Sequence, residues 1–306
     1  MSNNLERVLH SNIYIQPAHF ILAIATNILN IRTLSCRVLL SSSCTYYFLT
    51  YAIISITYTC LLCPIQFARG FSINWISGRI TCKTHAYILF VLPLQANIML
   101  MLASFHRYWT SSRIHRLHSA SAVRIAKRNI TLGSVFSIVY MSPMLFIYYW
   151  DDSSGKCLTN FHILISIYIL SQVIIYYILS PSIMILFGIL TIRNIRQRSS
   201  SAIFLVSLTQ RRRIESQLTR MLIIQIVVHL ILVLPFGIIY SINSTIPSTR
   251  TSNVIAVRLV FVALQQCDYF AIFFLYTLSA RVYRQQLVRI LISTTCLNAR
   301  EWYHHC

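Results

Sequence analysis

Apolar positions in this chain come in long blocks separated by clusters of charge. Seven such blocks run at about 13–35, 44–68, 80–107, 129–150, 161–192, 217–241 and 254–278. About 20 mostly apolar residues cross the hydrocarbon of a bilayer as a helix, so each block is long enough to span. Ile, Val and Thr are common in them, but none alternates with period two, which argues against a barrel. The pattern predicts an all-α membrane protein, a bundle of seven transmembrane helices forming one domain over residues 1–306. The connections are short, the longest being the basic segment 193–216, and no soluble domain is left over. Met1 to Ser11 is a brief polar leader that runs straight into the first block, which reads as its own signal anchor. After the last block Tyr283, Leu287, Ile290 and Leu291 share one helical face and Arg281, Arg284 and Arg289 lie on the others. That spacing predicts a short helix over about 280–292 lying on the inner leaflet.

Composition closes off a water-soluble alternative. With 56% hydrophobic residues, 10% charged residues and a mean hydropathy of +0.64, the chain has too little polar surface to cover a globule. A net charge of +20 by itself fits either nucleic acid or lipid headgroups, and the apolar blocks decide for the lipid bilayer and against nucleic acid. The positive charges also orient the chain, because cytoplasmic loops carry the excess of Lys and Arg. With the N-terminus outside, 19 of the 26 Lys and Arg fall on the inner side, and Arg7, Arg69, Arg79, Lys83, Lys156, Arg250 and Arg258 remain outside. The expected placement is therefore multi-pass in the plasma membrane, N-terminus out and C-terminus in.

Most of the nine cysteines sit within the apolar blocks, where a thiol acts as a small apolar group, and Cys36, Cys44, Cys60, Cys63 and Cys267 have no metal-site spacing. Cys82, at the outer start of the third block, and Cys157, in the loop between the fourth and fifth, both face the oxidising compartment and can bridge. Asp268 is the most costly residue in the chain, an acid near mid-depth of the seventh block and so a functional candidate by default. Pro235 stands mid-block in the sixth, where it deletes a backbone hydrogen bond and makes a pivot. Asn243-Ser244-Thr245 is the glycosylation sequon with outer-loop exposure.

Two motifs on the third block add specificity. Trp75, Gly78 and Cys82 form a WxxGxxxC pattern, and 25 residues after Cys82, at the inner end of the same block, comes His106-Arg107-Tyr108. Together they make the chain resemble, over essentially its whole length, the rhodopsin-like (class A) G-protein-coupled receptors, whose corresponding triplet is Asp/Glu-Arg-Tyr. The resemblance implies a receptor that couples an extracellular ligand to a heterotrimeric G protein by outward movement of helix six, with no cofactor and no catalysis. It implies a resting latch between Arg107 and Glu215, the one acid on the inner side before the tail, with Tyr108, Pro235 and Tyr276 completing the switch. His106 stands where the family has an acid, so Arg107 depends more on Glu215, and the latch is expected to leak. Leu232-Val233-Leu234 replaces the family's Cys-Trp-x before Pro235, and Ile272-Phe273 replaces the Asn-Pro that precedes Tyr276. Ser55 occupies the family's sodium-binding aspartate position and Asn27 matches the first-helix asparagine. Asn27, Ser55 and Asp268 are accordingly expected to form an interior polar cluster, holding either Na⁺ or a protonated Asp268.

The outer half disfavours two ligand classes. Leu89 stands where amine receptors carry an aspartate, and Gln266 where visual pigments carry the retinal lysine. Gln66, Leu89, Phe90, Tyr177, Phe236, Tyr240, Arg258, Val262 and Gln266 are the candidates for lining a ligand cavity, with helix packing as the alternative for each. Arg69, Arg79, Lys83, Arg250 and Arg258 make a cationic outer rim that suits a carboxylate or acidic patch, and a short neuropeptide fits it. Cys296 is a candidate for palmitoylation. Against the receptor stand a seven-span channel or transporter, and a decoy that binds without coupling. Transport usually leaves several ionisable groups at mid-depth, whereas here Asp268 and His229 stand nearly alone.

Overall fold

The computed structural model describes residues 3–40, 42–71, 73, 78–111, 119–153, 156–159, 163–199, 209–245 and 251–295. Helix α1 (Asn3–Leu34) leads through the single turn α2 (Arg37–Leu40) to α3 (Ser43–Gly70) and α4 (Arg79–Ser111). The fourth span is α5 (Ser119–Met141), followed by the one-turn α6 (Met144–Ile147) and a hairpin of β1 (Tyr148–Asp151) and β2 (Lys156–Thr159). The fifth span is α7 (Ile163–Val173), a π-helical segment (Ile174–Leu179) and α8 (Ser180–Ser199). Then come α9 (Thr209–Thr245), α10 (Ser252–Ser279) and α11 (Arg281–Thr295).

Among the described residues, six of the spans are long and apolar enough to cross a membrane by length and composition alone. Helix α1 has the length, 32 residues, but is diluted by Gln16, His19, Asn27 and Asn30. Gln16, Asn27 and Asn30 are buried while Ile21, Leu22 and Ile28 are exposed, so its polar groups face the bundle and its apolar ones the lipid. Helix α1 packs on α3 and on α10, α10 packs on α9, and α4 touches α3, α5, α8 and α9, which closes the ring around α4. Tyr47, Phe48, Tyr51, Leu94, Met99, Leu100, Met184 and Tyr276 fill the centre. Leu132, Val135 and Val139 of α5, Leu186 and Ile189 of α8 and Ile231 and Ile238 of α9 are exposed, an outward apolar belt that water would not tolerate and lipid does.

Two elements depart from the pattern of apolar blocks. The fourth block was expected to stay helical to residue 150, but α5 ends at Met141 and Tyr148–Asp151 is a strand. Pro143 has no N–H to continue the ladder, and after one further turn the backbone is extended at Tyr148. Tyr148, Tyr149 and Trp150 then pair antiparallel with Thr159, Leu158 and Cys157, aromatic residues being favoured in strands. In the fifth span the ladder widens to a π-helix just before Pro181. A proline at 181 cannot return a hydrogen bond to the carbonyl of Tyr177, the local cause of the change in pairing.

Candidate functional site

At the outer end, Cys82 and Cys157 are joined by a disulfide that closes a sequence separation of 75 residues. Cys82 is in the first turn of α4 and Cys157 faces Trp150 across the hairpin, so the bridge fastens the β1–β2 hairpin to α4. Gly78 starts that turn: its carbonyl accepts the Cys82 N–H at 3.1 Å, and its φ of 93° is a left-handed conformation that favours glycine. Trp75, the other member of the motif, lies outside the described residues. Asn243 of the outer sequon is buried at the end of α9, which corrects the expectation that it is exposed.

In the middle of the bundle Asp268 is 2% exposed. Its Oδ2 accepts the Tyr51 hydroxyl at 2.8 Å and lies 2.8 Å from Nδ1 of His229, itself buried. One carboxylate oxygen thereby joins α3, α9 and α10. Asn27 and Ser55, expected beside it, bond elsewhere: Asn27 Nδ2 donates to the carbonyls of Ala23 and Tyr269, each at 2.8 Å, and Ser55 Oγ donates to the Tyr51 carbonyl. The cluster at Asp268 is thus built from Tyr51 and His229 rather than from Asn27 and Ser55. The other oxygen of Asp268, Oδ1, is buried and has no hydrogen-bond partner among the described residues. Tyr51 gave no sign in the sequence, because a tyrosine in an apolar block reads as packing. His229 gave one, a polar residue at mid-block on the same level as the acid.

At the inner end Arg107 is buried, and its Nη2 donates to Ser42 Oγ, between α2 and α3, at 3.3 Å. Its neighbour His106 lies against Tyr47, ring centroids 5.8 Å apart, and Tyr108 stacks on Phe187 of α8 at 5.4 Å. The backbone of Glu215 is on α9, and its side chain lies outside the described residues. Arg107 is therefore held, among the described residues, by the first inner connection. Tyr276 is buried, and its hydroxyl donates to Gln225 Oε1 of α9 at 2.6 Å. Helix α11 is anchored through fully buried Tyr283, whose hydroxyl donates to Asn30 of α1, and through the Val282 N–H, which donates to Gln217 Oε1 of α9 at 2.9 Å. Burial pushes the Tyr283 phenol up, away from ionisation. Cys296 lies outside the described residues.

The architecture and the two ends together describe a seven-helix bundle with a bridged outer hairpin, a buried inner arginine and a surface helix. The family model for 7 transmembrane receptor (rhodopsin family) matches residues 26–270. The chain belongs to that family. No curated protein matches it closely enough to name a nearer relative. The match makes the protein a multi-pass membrane receptor of a G-protein-coupled signalling family.

The outer half of the receptor gathers only some of the residues expected to line a cavity. Phe90 of α4 lies 6.2 Å from Tyr148 of β1 and 6.3 Å from Tyr240 of α9, and Tyr240 stacks on Phe236 at 5.8 Å. These rings form an aromatic floor beneath the disulfide-tethered hairpin. Tyr177 instead packs against α9 at Gly237, where an added Cβ would run into its ring. Gln266 turns to α1, where its Oε1 accepts from Gln16 Nε2 and faces His19 Nδ1, each at 3.0 Å. Gln66 is buried in α3 with no hydrogen-bond partner for its Oε1 among the described residues, and Leu89, Arg258 and Val262 are half-buried. Arg79 is taken out of the cationic rim by an exposed pair with Asp152 at 2.7 Å. Arg69 is exposed in the last turn of α3, and Arg258 lies on α10, which touches that helix.

Proposed function

We propose that the receptor sits in the plasma membrane with its N-terminus outside, binds an extracellular peptide through an acidic group, and activates a G protein by outward movement of the inner arm of α9. The observation that carries the ligand class is that Arg69, exposed in the last turn of α3, and half-buried Arg258 of α10 lie on helices that touch. A carboxylate placed against these guanidinium groups gains charge-assisted hydrogen bonds. The aromatic floor of Phe90, Phe236, Tyr240 and Tyr148 supplies apolar area next to it. Pro235 gives α9 its pivot, and the basic inner surface, with Arg124, Lys127 and Arg281 exposed, faces the transducer.

The test is a G-protein activation screen of cells expressing the receptor against a peptide library ordered by acidity, with Arg107→Ala as the coupling control. Acidic peptides are expected to activate, and Arg69→Ala or Arg258→Ala to weaken their potency about tenfold, the loss of roughly one charge-assisted hydrogen bond. Activation confined to basic or uncharged peptides, or potency indifferent to both arginines, sinks the ligand assignment. An epitope tag at the N-terminus that antibody reaches only after permeabilisation sinks the orientation.

A further inference from the structure

Three polar side chains on the inner arm of α9 reach the α10–α11 segment. Moving outward, Gln217 accepts the Val282 N–H of α11, Gln225 accepts the Tyr276 hydroxyl of α10, and His229 meets Asp268 of α10. These residues lie on the side of the helix that buries Leu218, Leu222 and Val233, while Arg220, Val227 and Ile231 are exposed on the other. All three lie inward of Pro235, and His229 is only six residues from it, about 9 Å at the helical rise. We infer that the resting receptor is locked by this hydrogen-bonded zipper between α9 and the α10–α11 segment, with His229–Asp268 as its central bond.

The inference rests on the reading that α9 swings outward, and its force comes from burial. A swing about Pro235 draws the inner arm away from α10, so each bond must break or drag α10 along. Gln225, His229, Asp268 and Tyr276 are all buried, so opening that leaves their donors and acceptors unpaired costs free energy. Asp268 is held from the other side by Tyr51 of α3, which fixes the acid in place and makes α9 the element that must let go. Arg107 contributes nothing of this kind through its described contact, because Ser42 belongs to the first inner connection and not to α9. A ligand that unlocks the receptor must then weaken the zipper, and the aromatic floor at Phe236 and Tyr240 sits on the same helix just beyond the pivot.

The experiment uses the full-length receptor in nanodiscs, with spin labels introduced as unnatural amino acids at exposed positions 128 and 220, in the inner halves of α5 and α9. The distance distribution is recorded with and without nucleotide-free G-protein heterotrimer. Asp268→Asn and His229→Ala are each expected to raise the open population of the free receptor about fivefold, the low end of usual couplings. The double substitution is expected to do no more than the larger single one. Pairing Asp268→Asn with His229→Gln restores a neutral hydrogen bond and is expected to return the population toward wild type. Tyr276→Phe, which deletes one hydroxyl and keeps the packing, gives a smaller rise and guards against misfolding of the charge variants. If G protein opens the wild-type bundle while Asp268→Asn and Tyr276→Phe leave the free receptor unchanged, the zipper is overturned and the swing stands. If G protein moves α9 in no variant and not in wild type, both are overturned.

Discussion

The two ends of this bundle are held by different chemistry. The outer end is fixed by a covalent bond, Cys82–Cys157, and by a hairpin whose strands are paired along their length. The inner half of α9 is held by single hydrogen bonds from half-buried Gln217 and from buried Gln225 and His229, each of them breakable. A receptor needs both kinds of tie: a frame on which a ligand site keeps its shape, and a second region whose bonds are weak enough to exchange. If the comparison is right, the largest loss of stability comes from cutting the outer tie. Replacing Cys82 and Cys157 together by serine is expected to cost about 2–5 kcal/mol, read as a fall in the thermal midpoint of the purified receptor. The zipper variants, which shift an equilibrium between folded states, are expected to change that midpoint less. Equal falls in both would erase the distinction.

Between the two ends lies the pivot, and there the tie is steric. Tyr177, in the π-helical segment, lies on the backbone of α9 at Gly237, two residues past Pro235. The absence of a side chain at Gly237 is what lets the fifth and sixth spans meet so closely. Gly237→Ala puts a methyl group into the Tyr177 ring, which must move with its neighbour Tyr176, 4.6 Å away. The expected cost is about 1–3 kcal/mol, smaller than that of the disulfide, and Tyr177→Leu in the same chain should recover part of it. A midpoint unchanged by Gly237→Ala would mean that the outer arm of α9 is not packed there.

How much of this was legible follows the same division. Span number and polarity are written in apolar blocks and basic loops, and the Cys82–Cys157 bridge joins two outward-facing cysteines, so reading them requires no knowledge of packing. Arg107 and Pro235 stand out by type and depth. The hairpin was hidden because Tyr148-Tyr149-Trp150 is as apolar as the helix before it, and length alone does not tell a buried strand from a helical turn. The partners of Asp268 were hidden for another reason. Hydropathy gives the depth of each polar residue but not the rotation of its helix, so the sequence pointed to Asn27 and Ser55, while Tyr51 and His229 emerged as partners only with α3, α9 and α10 side by side. Asn243 was misjudged in the same way, since a sequon near a loop says nothing about which side of the helix end carries it.

The weakest expected effect sharpens the comparison most economically. Arg79 and Asp152 form a 2.7 Å ion pair beside the disulfide, joining the start of α4 to the turn after β1, the same two elements that Cys82–Cys157 joins. Both side chains are largely exposed, at 77% and 66%, so water and salt screen their attraction and the ordering of two long side chains offsets what remains. Arg79→Ala is therefore expected to leave the thermal midpoint of the oxidised receptor unchanged at both low and high salt. In the Cys82→Ser, Cys157→Ser background the same substitution tests whether the ion pair alone retains the hairpin. If Arg79→Ala costs as much as losing the bridge, the outer frame is electrostatic, its stability should fall with added salt, and the contrast between a covalent outer end and a hydrogen-bonded inner end does not hold.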